Sequence, residues 1–423
     1  MLIQFSVENY KSIKNKVTLS FEASADKVHA ENFICINAPK KERILKSINI
    51  YGANASGKSN IFMALTAAIM TIRSSSSIQP GMMINNIVPF KFDAETIKKP
   101  TSFEFVFLAE DSKKYVYSFS VTRERVVSES LFAYYSAKPT MIFKRTTGVY
   151  EFSAGYIKKL KPLSERTTDN KLFLAVATTW NCKETAIPFN WFMTKINTYS
   201  NRYDEVLHIT GEKFEKDDDK TLKQFTRDIL HAADINISDY QFSSKEVKTV
   251  GIQNNILPNQ PFSGFPVLNV FKEYEIKTKH VVDNSNGKQE VELDFSEESF
   301  GTRSLFFLSP LLKNAFEKGE VVCIDEFDAS LHPLLVGYIV SLFNNPNINK
   351  SNAQLVASVH TTELMDLKKF RRDQIYFTNK NRKTAATELY SLDEFSVRKS
   401  DNIRNSYLLG RYDAIPNIIS QEF

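Results

Sequence analysis

Gly52-Ala53-Asn54-Ala55-Ser56-Gly57-Lys58-Ser59 satisfies the pattern G-x-x-x-x-G-K-[ST] at every fixed position. The flanks supply the context that this pattern requires. Ile48-Asn49-Ile50-Tyr51 reads as a short strand running into the loop, and the helix that follows from Asn60 carries apolar residues at 61, 62, 65, 69 and 72. Glycines let backbone N–H groups curl around phosphate oxygens, and the helix N-terminus adds a favourable dipole. Gly52, Asn54 and Gly57 therefore belong to a phosphate cradle, Lys58 reaches the β- and γ-phosphates, and the Ser59 hydroxyl completes a Mg²⁺ shell. The chain is read as a binder of ATP or GTP.

A second element turns binding towards hydrolysis. Glu320-Val321-Val322-Cys323-Ile324-Asp325-Glu326 is an apolar run ending in two adjacent carboxylates, the pattern of a buried parallel strand whose tip delivers acid to a site. Asp325 is expected to hold Mg²⁺, directly or through water. Glu326 is expected to orient or deprotonate the water that attacks the γ-phosphate, because catalysis of this step is mostly positioning and charge stabilisation.

The surroundings of that strand narrow the class. Ser299-Phe300-Gly301-Thr302 precedes a predicted helix from Arg303 to Ala315, which leads into the strand at 321. Asp328-Ala329-Ser330-Leu331-His332-Pro333 follows the acids, then an apolar helix from Leu334 to Phe343, then a strand from Gln354 to Val359 ending at His360-Thr361. This order resembles the ABC/SMC ATPase head: phosphate loop, signature, acidic strand, D-loop and switch histidine. The resemblance implies ATP with Mg²⁺, and a homodimer or higher homo-oligomer formed through the nucleotide site. In it, Ser299 and Gly301 of one subunit close over the γ-phosphate held by another, Asp328 sits at the dimer seam, and His360 contacts the γ-phosphate. The departure is in the signature, usually L-S-G-G-Q and here Glu298-Ser299-Phe300-Gly301-Thr302. His332, beside Pro333 at a helix start, reads as structural.

Within that class the ends of the chain resemble bacterial AAA-type, ABC-like ATPases of phage-defence loci. Leu2 to Ile13 matches their F-x-V-x-N-F/Y-x-S-I opening, and Tyr115 to Phe119, Glu129 to Leu131 and Ile142 to Arg145 resemble their antiparallel lobe. The segment Arg398 to Pro416 resembles the ends of AbiLi/RloA-type proteins. The resemblance implies a sensor or scaffold in an anti-phage, abortive-infection system, controlling a separately encoded effector such as a Toprim-like or other nuclease. The competing reading is a DNA-handling ATPase in the manner of RecF or SMC heads, with nucleic acid as the partner. A nuclease fused in the manner of OLD proteins is disfavoured, because the 63 residues after His360 must finish the nucleotide fold.

Composition fits a cytoplasmic enzyme: 423 residues, 42% hydrophobic and 24% charged, with only three cysteines, too few for a disulfide framework. No run approaches the ~18–20 apolar residues of a membrane span, so no membrane partner is expected. The net charge of +5 does not by itself mark a nucleic-acid binder. Locally, Lys368, Lys369, Arg371, Arg372, Lys380, Arg382 and Lys383 crowd beside Phe370, Tyr376 and Phe377, either as a face for phosphate backbone or an acidic partner, or as a solvated edge strand and its turn. Lys216 to Lys220, with three successive aspartates, reads as a solvated loop rather than a metal site.

Lys58 and Ser299 lie 241 residues apart, so much is inserted between two halves of one nucleotide fold. The expected fold is α/β, an ABC/SMC-type P-loop ATPase head with a mixed sheet, an antiparallel lobe and a compact helical insertion. Residues 1–153 form its N-terminal half, 154–240 the helical insertion and 241–423 the C-terminal half. Sustained heptads are absent, which argues against a long coiled-coil arm. Gln79 is the one candidate for a glutamine loop soon after the first helix.

Overall fold

Two kinds of strand alternate along the chain, and each builds its own sheet. The computed structural model describes residues 1–37, 40–200, 210–253, 265–285, 287–329 and 331–416. Its first elements are β1 (Leu2–Glu8), β2 (Val17–Ser20), β3 (Phe33–Asn37), β4 (Lys41–Leu45), β5 (Ser47–Gly52) and α1 (Lys58–Ser74). Next come β6 (Thr101–Leu108), β7 (Lys114–Val121), β8 (Val126–Ala133), β9 (Thr140–Thr146), β10 (Val149–Phe152), α2 (Ile157–Ser164), α3 (Phe173–Thr179), α4 (Lys183–Thr194) and β11 (Ile196–Ser200). The middle of the chain holds α5 (Thr221–Ala232), β12 (Asp239–Gln253), β13 (Phe265–Asn284), β14 (Gly287–Asp294) and α6 (Phe300–Lys318). The last part contains β15 (Val321–Asp325), α7 (Pro333–Asn344), β16 (Gln354–Ser358), β17 (Ile375–Lys380), β18 (Thr387–Ser391) and α8 (Ile403–Leu408).

The period-two strands form a seven-stranded antiparallel sheet in the order β10-β9-β8-β7-β6-β1-β2. Strict alternation puts Phe103, Phe105 and Phe107 of β6 and Tyr115, Tyr117 and Phe119 of β7 on one buried face. Helix α4 covers that face: Trp191 stacks 4.2 Å from Phe107, and Phe192 meets Phe105 edge-on at 5.0 Å. A buried carboxylate ties α3 to the same sheet. Glu129 accepts the Phe173 and Leu174 N–H groups at 2.6 and 2.9 Å and the Tyr117 hydroxyl at 2.9 Å, so it satisfies the first turn of α3.

The apolar-run strands form a second sheet, β11-β15-β16-β5-β17-β18, parallel except for β18 at its edge. Every residue of β5 and β16 is buried, as are the first four of β15, the pattern of strands covered on both faces. Gln354 of β16 joins this sheet to the antiparallel one. Its amide accepts from Leu2 N–H at 2.7 Å and donates to the Leu2 and Leu45 carbonyls at 3.0 Å each.

Residue contacts divide the chain into one unit of residues 1–201 and 314–423 and a second of residues 202–313. This division falls elsewhere than the boundaries expected at 153 and 240. Helices α2 to α4 belong to the first unit because Phe173, Trp191 and Phe192 complete the aromatic face of the antiparallel sheet. The second unit is built on a three-stranded antiparallel sheet, β12-β13-β14, with α5 and the first part of α6, rather than on helices alone. In that unit the acidic loop caps α5: Asp217 accepts the Leu222 and Lys223 N–H groups, and Asp219 accepts that of Thr221.

The basic cluster is not one face. Arg371 is 1% exposed and paired with Asp373 at 2.7 Å, and its guanidinium also donates to the carbonyls of Ser24, Asp26 and Val28. Phe370, Tyr376 and Phe377 are all buried, so they cannot interleave with the lysines as stacking platforms. Arg372 is engaged by Asp393 at 3.4 Å and the Val397 carbonyl at 3.2 Å. Among the described residues, no helix is long and apolar enough to cross a membrane.

Candidate nucleotide site

The phosphate loop leaves β5 at Gly52 and closes at Gly57, the residue before α1. A side chain at Gly52 would bring a Cβ 2.3 Å from Thr378 Oγ1, and one at Gly57 would lie 2.1 Å from Thr387 Oγ1. Gly57 also has φ +110°, a conformation open to glycine and strained for other residues. Behind the loop runs a chain of hydroxyls. Ser56 Oγ bonds Thr378 Oγ1 at 2.6 Å, Thr387 Oγ1 donates to the Ser56 carbonyl at 2.9 Å, and Ser12 Oγ bonds Thr387 Oγ1 at 2.7 Å. Asn60 of α1 donates to Ser12 Oγ at 2.6 Å. The loop is thus fixed from behind by β17, β18 and the segment after β1. Gly57→Ala adds strain of about 1–3 kcal/mol, and titration with a fluorescent ATP analogue should read it as roughly five- to hundredfold weaker binding.

Lys58 is 6% exposed, and its ammonium donates to the Gly52 carbonyl at 2.7 Å and the Ala53 carbonyl at 3.3 Å, spanning the mouth of the loop. Burial lowers the pKa of this ammonium, and Asp325, Asp328 and Glu326 act to raise it. The three carboxylates from β15 and beyond therefore lie within electrostatic reach of the loop lysine. In the sheet order, the strand that leads to His360 is inserted between the acid strand and the loop strand.

Ser358, at the end of β16, organises the acid tip. Its hydroxyl donates to Asp325 Oδ1 and accepts the Glu326 N–H at 2.7 Å, while its carbonyl accepts the Phe327 N–H at 3.0 Å. Glu326 turns the chain at φ +52°, leaving its own side chain exposed beyond the strand. Asp328 Oδ2 accepts the backbone N–H groups of His360 and Thr361, at 2.7 and 2.5 Å. The expected D-loop aspartate thus fixes the turn that carries the expected switch histidine, whose ring is exposed. His332 has the structural role expected of it. Its Nδ1 accepts the Leu334 N–H at 3.3 Å as the N-cap of α7, with Pro333 in the first turn.

The residues fit a Mg²⁺-nucleotide. Gly57, the N-cap of α1, offers no side-chain cap, and Asn60 and Ile61 N–H groups are taken by the Gly57 carbonyl. The N–H groups of Lys58 and Ser59 remain as first-turn donors aimed out of the helix, an arrangement suited to an anion. Asp325, aligned by Ser358, and the Ser59 hydroxyl are the oxygen donors suited to Mg²⁺, which would neutralise charge on the phosphates. Asn54 is exposed at the crown of the loop.

Ser299 and Gly301 belong to the second unit and are described within it. Ser299 Oγ accepts the Thr302 N–H at 3.1 Å and lies 2.9 Å from Thr302 Oγ1, so it is the N-cap of α6. Phe300, which replaces the usual glycine, is exposed, with the Arg303 guanidinium 5.6 Å from its ring centroid. Gln79 is exposed, and its backbone carbonyl accepts from the Asn170 side-chain amide and the Met82 N–H. The sequence reading missed Ser12, Ser358, Thr378 and Thr387. For Ser358 a signal is present, a lone hydroxyl directly after the apolar run Leu355 to Ala357.

A family model described as "AAA domain, putative AbiEii toxin, Type IV TA system" matches residues 49–366, which contain the phosphate loop, Ser299, Gly301, the acid strand, Asp328 and His360. No curated protein matches the chain. Among solved structures, the Smc head bound to the C-winged helix domain of ScpA is similar at 15% identity and a TM-score of 0.38, covering 92% of this chain and 97% of that one. The recombination mediator protein RecF-ATP in the RecFOR pathway gives 13% identity, a TM-score of 0.37 and coverages of 92% and 99%. The Smc head domain with a coiled coil and joint derived from Pyrococcus yayanosii gives 10%, 0.40, 97% and 99%.

Proposed function

This chain belongs to the AAA-domain family whose model spans residues 49–366, and from that premise we propose that it hydrolyses ATP as an ABC-like head whose nucleotide site is completed by a second copy. The carrying observation is the convergence of Lys58, Asp325, Glu326, Asp328 and the His360 turn at one end of the parallel sheet, with Ser358 holding both the acid and the strand tip. Such a site can bind a triphosphate on the loop and the α1 N-terminus, place Mg²⁺ at Ser59 and Asp325, and present Glu326 to an attacking water. On this reading His360 would contact the γ-phosphate, and Ser299 and Gly301 would supply a helix N-terminus to the partner's nucleotide.

The biological reading is a sensor or scaffold of an anti-phage, abortive-infection system. Closure of the homodimer on ATP would pass its state to a separately encoded effector, a Toprim-like or other nuclease. The family's description as a putative AbiEii toxin of a type IV toxin–antitoxin system supports this setting. The dispersal of the basic cluster weakens the alternative in which nucleic acid is the principal partner, since Arg371 and the three aromatics are interior.

Mixing experiments test the composite site. Ser299→Arg and Lys58→Ala are each expected to be inactive alone. Together, in demonstrated heterodimers, they should regain activity because one site per dimer has an intact loop and an intact signature. Heterodimers that stay inactive would refute action in trans. Co-expression with the product of the adjacent gene then tests the effector: complex formation and nuclease output should follow the ATP state.

A further inference from the structure

The signature serine stands on an exposed tip, yet the residue before it is gripped. Glu298 is 8% exposed, and both of its recorded side-chain partners come from β13: His280 Nε2 at 2.8 Å and the buried Thr278 hydroxyl, which donates to the same carboxylate oxygen. The approach is equally fixed. Asp294 and Glu297 form a capping box around the turn Phe295–Glu297, and the Phe295 ring packs at 4.9 and 5.3 Å against Phe306 and Phe307 of α6. The next residue, Ser299, caps α6 through Thr302. The place of the Ser299 hydroxyl is therefore set by a carboxylate held from the three-stranded sheet, one residue away.

We propose that Glu298, held by His280 and Thr278, is a positioning residue for the signature serine, so that the β12–β14 sheet governs ATP turnover at the partner protomer's phosphate loop. The proposal rests on the composite site described above. Loosening the grip displaces Ser299 and the first turn of α6 but leaves each protomer's own loop, Lys58 and Asp325 as they were. The defect then appears in kcat rather than in the KM for ATP, and it belongs to the half-site that the altered protomer lends to its partner.

The test uses the full chain with Glu298→Gln, His280→Ala and Thr278→Val. Each should keep the wild-type KM for ATP and lose roughly ten- to hundredfold in kcat, the scale of a misplacement near 1 Å. His280→Gln, which keeps an N–H donor, should recover most of the rate. Mixed with Lys58→Ala, the Glu298→Gln protein should regain activity as Ser299→Arg does, and mixed with Ser299→Arg it should not. If Ser299→Arg and Lys58→Ala themselves fail to complement, the composite site is wrong and this inference falls with it. If they complement while Glu298→Gln and His280→Ala turn over like wild type, or while Glu298→Gln is rescued by Ser299→Arg, the composite site stands and the positioning role is overturned. A folding defect is separated by melting curves: wild-type stability in both, with kcat lost in Thr278→Val and largely kept in His280→Gln, supports the role, and equal effects on kcat refute it.

Discussion

Glu326→Gln is expected to bind Mg²⁺-ATP as the wild type does and to hydrolyse it at least about a hundredfold more slowly, the scale of a lost general base or water-positioning carboxylate. Binding is expected to survive because Lys58, the loop backbone and Asp325 all stay in place. Lys58 bonds to the Gly52 and Ala53 carbonyls, and Asp325 is aligned by Ser358. Glu326 is tied to the scaffold through its backbone, whose N–H meets Ser358, and the turn at φ +52° places its carboxylate beyond the strand end. Glutamine keeps the shape and removes the base. Single-turnover phosphate release and a nucleotide titration on the same preparation measure both halves of the expectation. Comparable turnover in the variant would remove Glu326 from the chemistry. A large loss of affinity would mean instead that its charge helps to hold the metal.

The parts of this site that could be read in the sequence are those whose reason is local. The loop glycines, Lys58 and the apolar positions of α1 follow one another within a few residues, and Ile61, Phe62, Leu65, Ile69 and Ile72 are all buried as their spacing requires. The acid strand is equally local, four buried residues and a carboxylate. The hydroxyls behind the loop are another matter. Ser56 meets Thr378 across 322 positions, and Ser12 meets Thr387 across 375, so only the sheet order brings them together. Helices α2 to α4 lie within the stretch expected to be helical, but the sequence does not name what they pack against. Their apolar faces could have packed on one another, and instead Trp191 and Phe192 complete an aromatic layer begun at Phe103. Long-range pairing of this kind leaves no trace in local periodicity.

Arg371→Ala is expected to destabilise the protein by about 3–5 kcal/mol, the usual cost of leaving one partner of a buried ion pair uncompensated. The Arg371 and Asp373 side chains are 1% and 7% exposed. The guanidinium also draws together Ser24, Asp26 and Val28, while the Asp373 carboxylate accepts the Ser24 N–H at 2.7 Å. Removing the arginine therefore strands a buried carboxylate and several carbonyls at the start of β17, the strand that flanks β5 and the phosphate loop. Arg371→Lys should recover part of the loss, since a point charge cannot reproduce a fork that serves several acceptors at once. Lys368→Ala and Lys369→Ala, at exposed positions, should stay within about 0.5 kcal/mol of wild type. Urea denaturation of the four variants separates a structural arginine from a nucleic-acid contact. Stability equal to that of Lys368→Ala would return Arg371 to the surface and revive a basic face. The expected loss also means that weaker DNA retention after neutralising the whole cluster would report damage to the fold, so a test for direct nucleic-acid handling has to leave Arg371 in place and neutralise exposed residues such as Lys368 and Lys369.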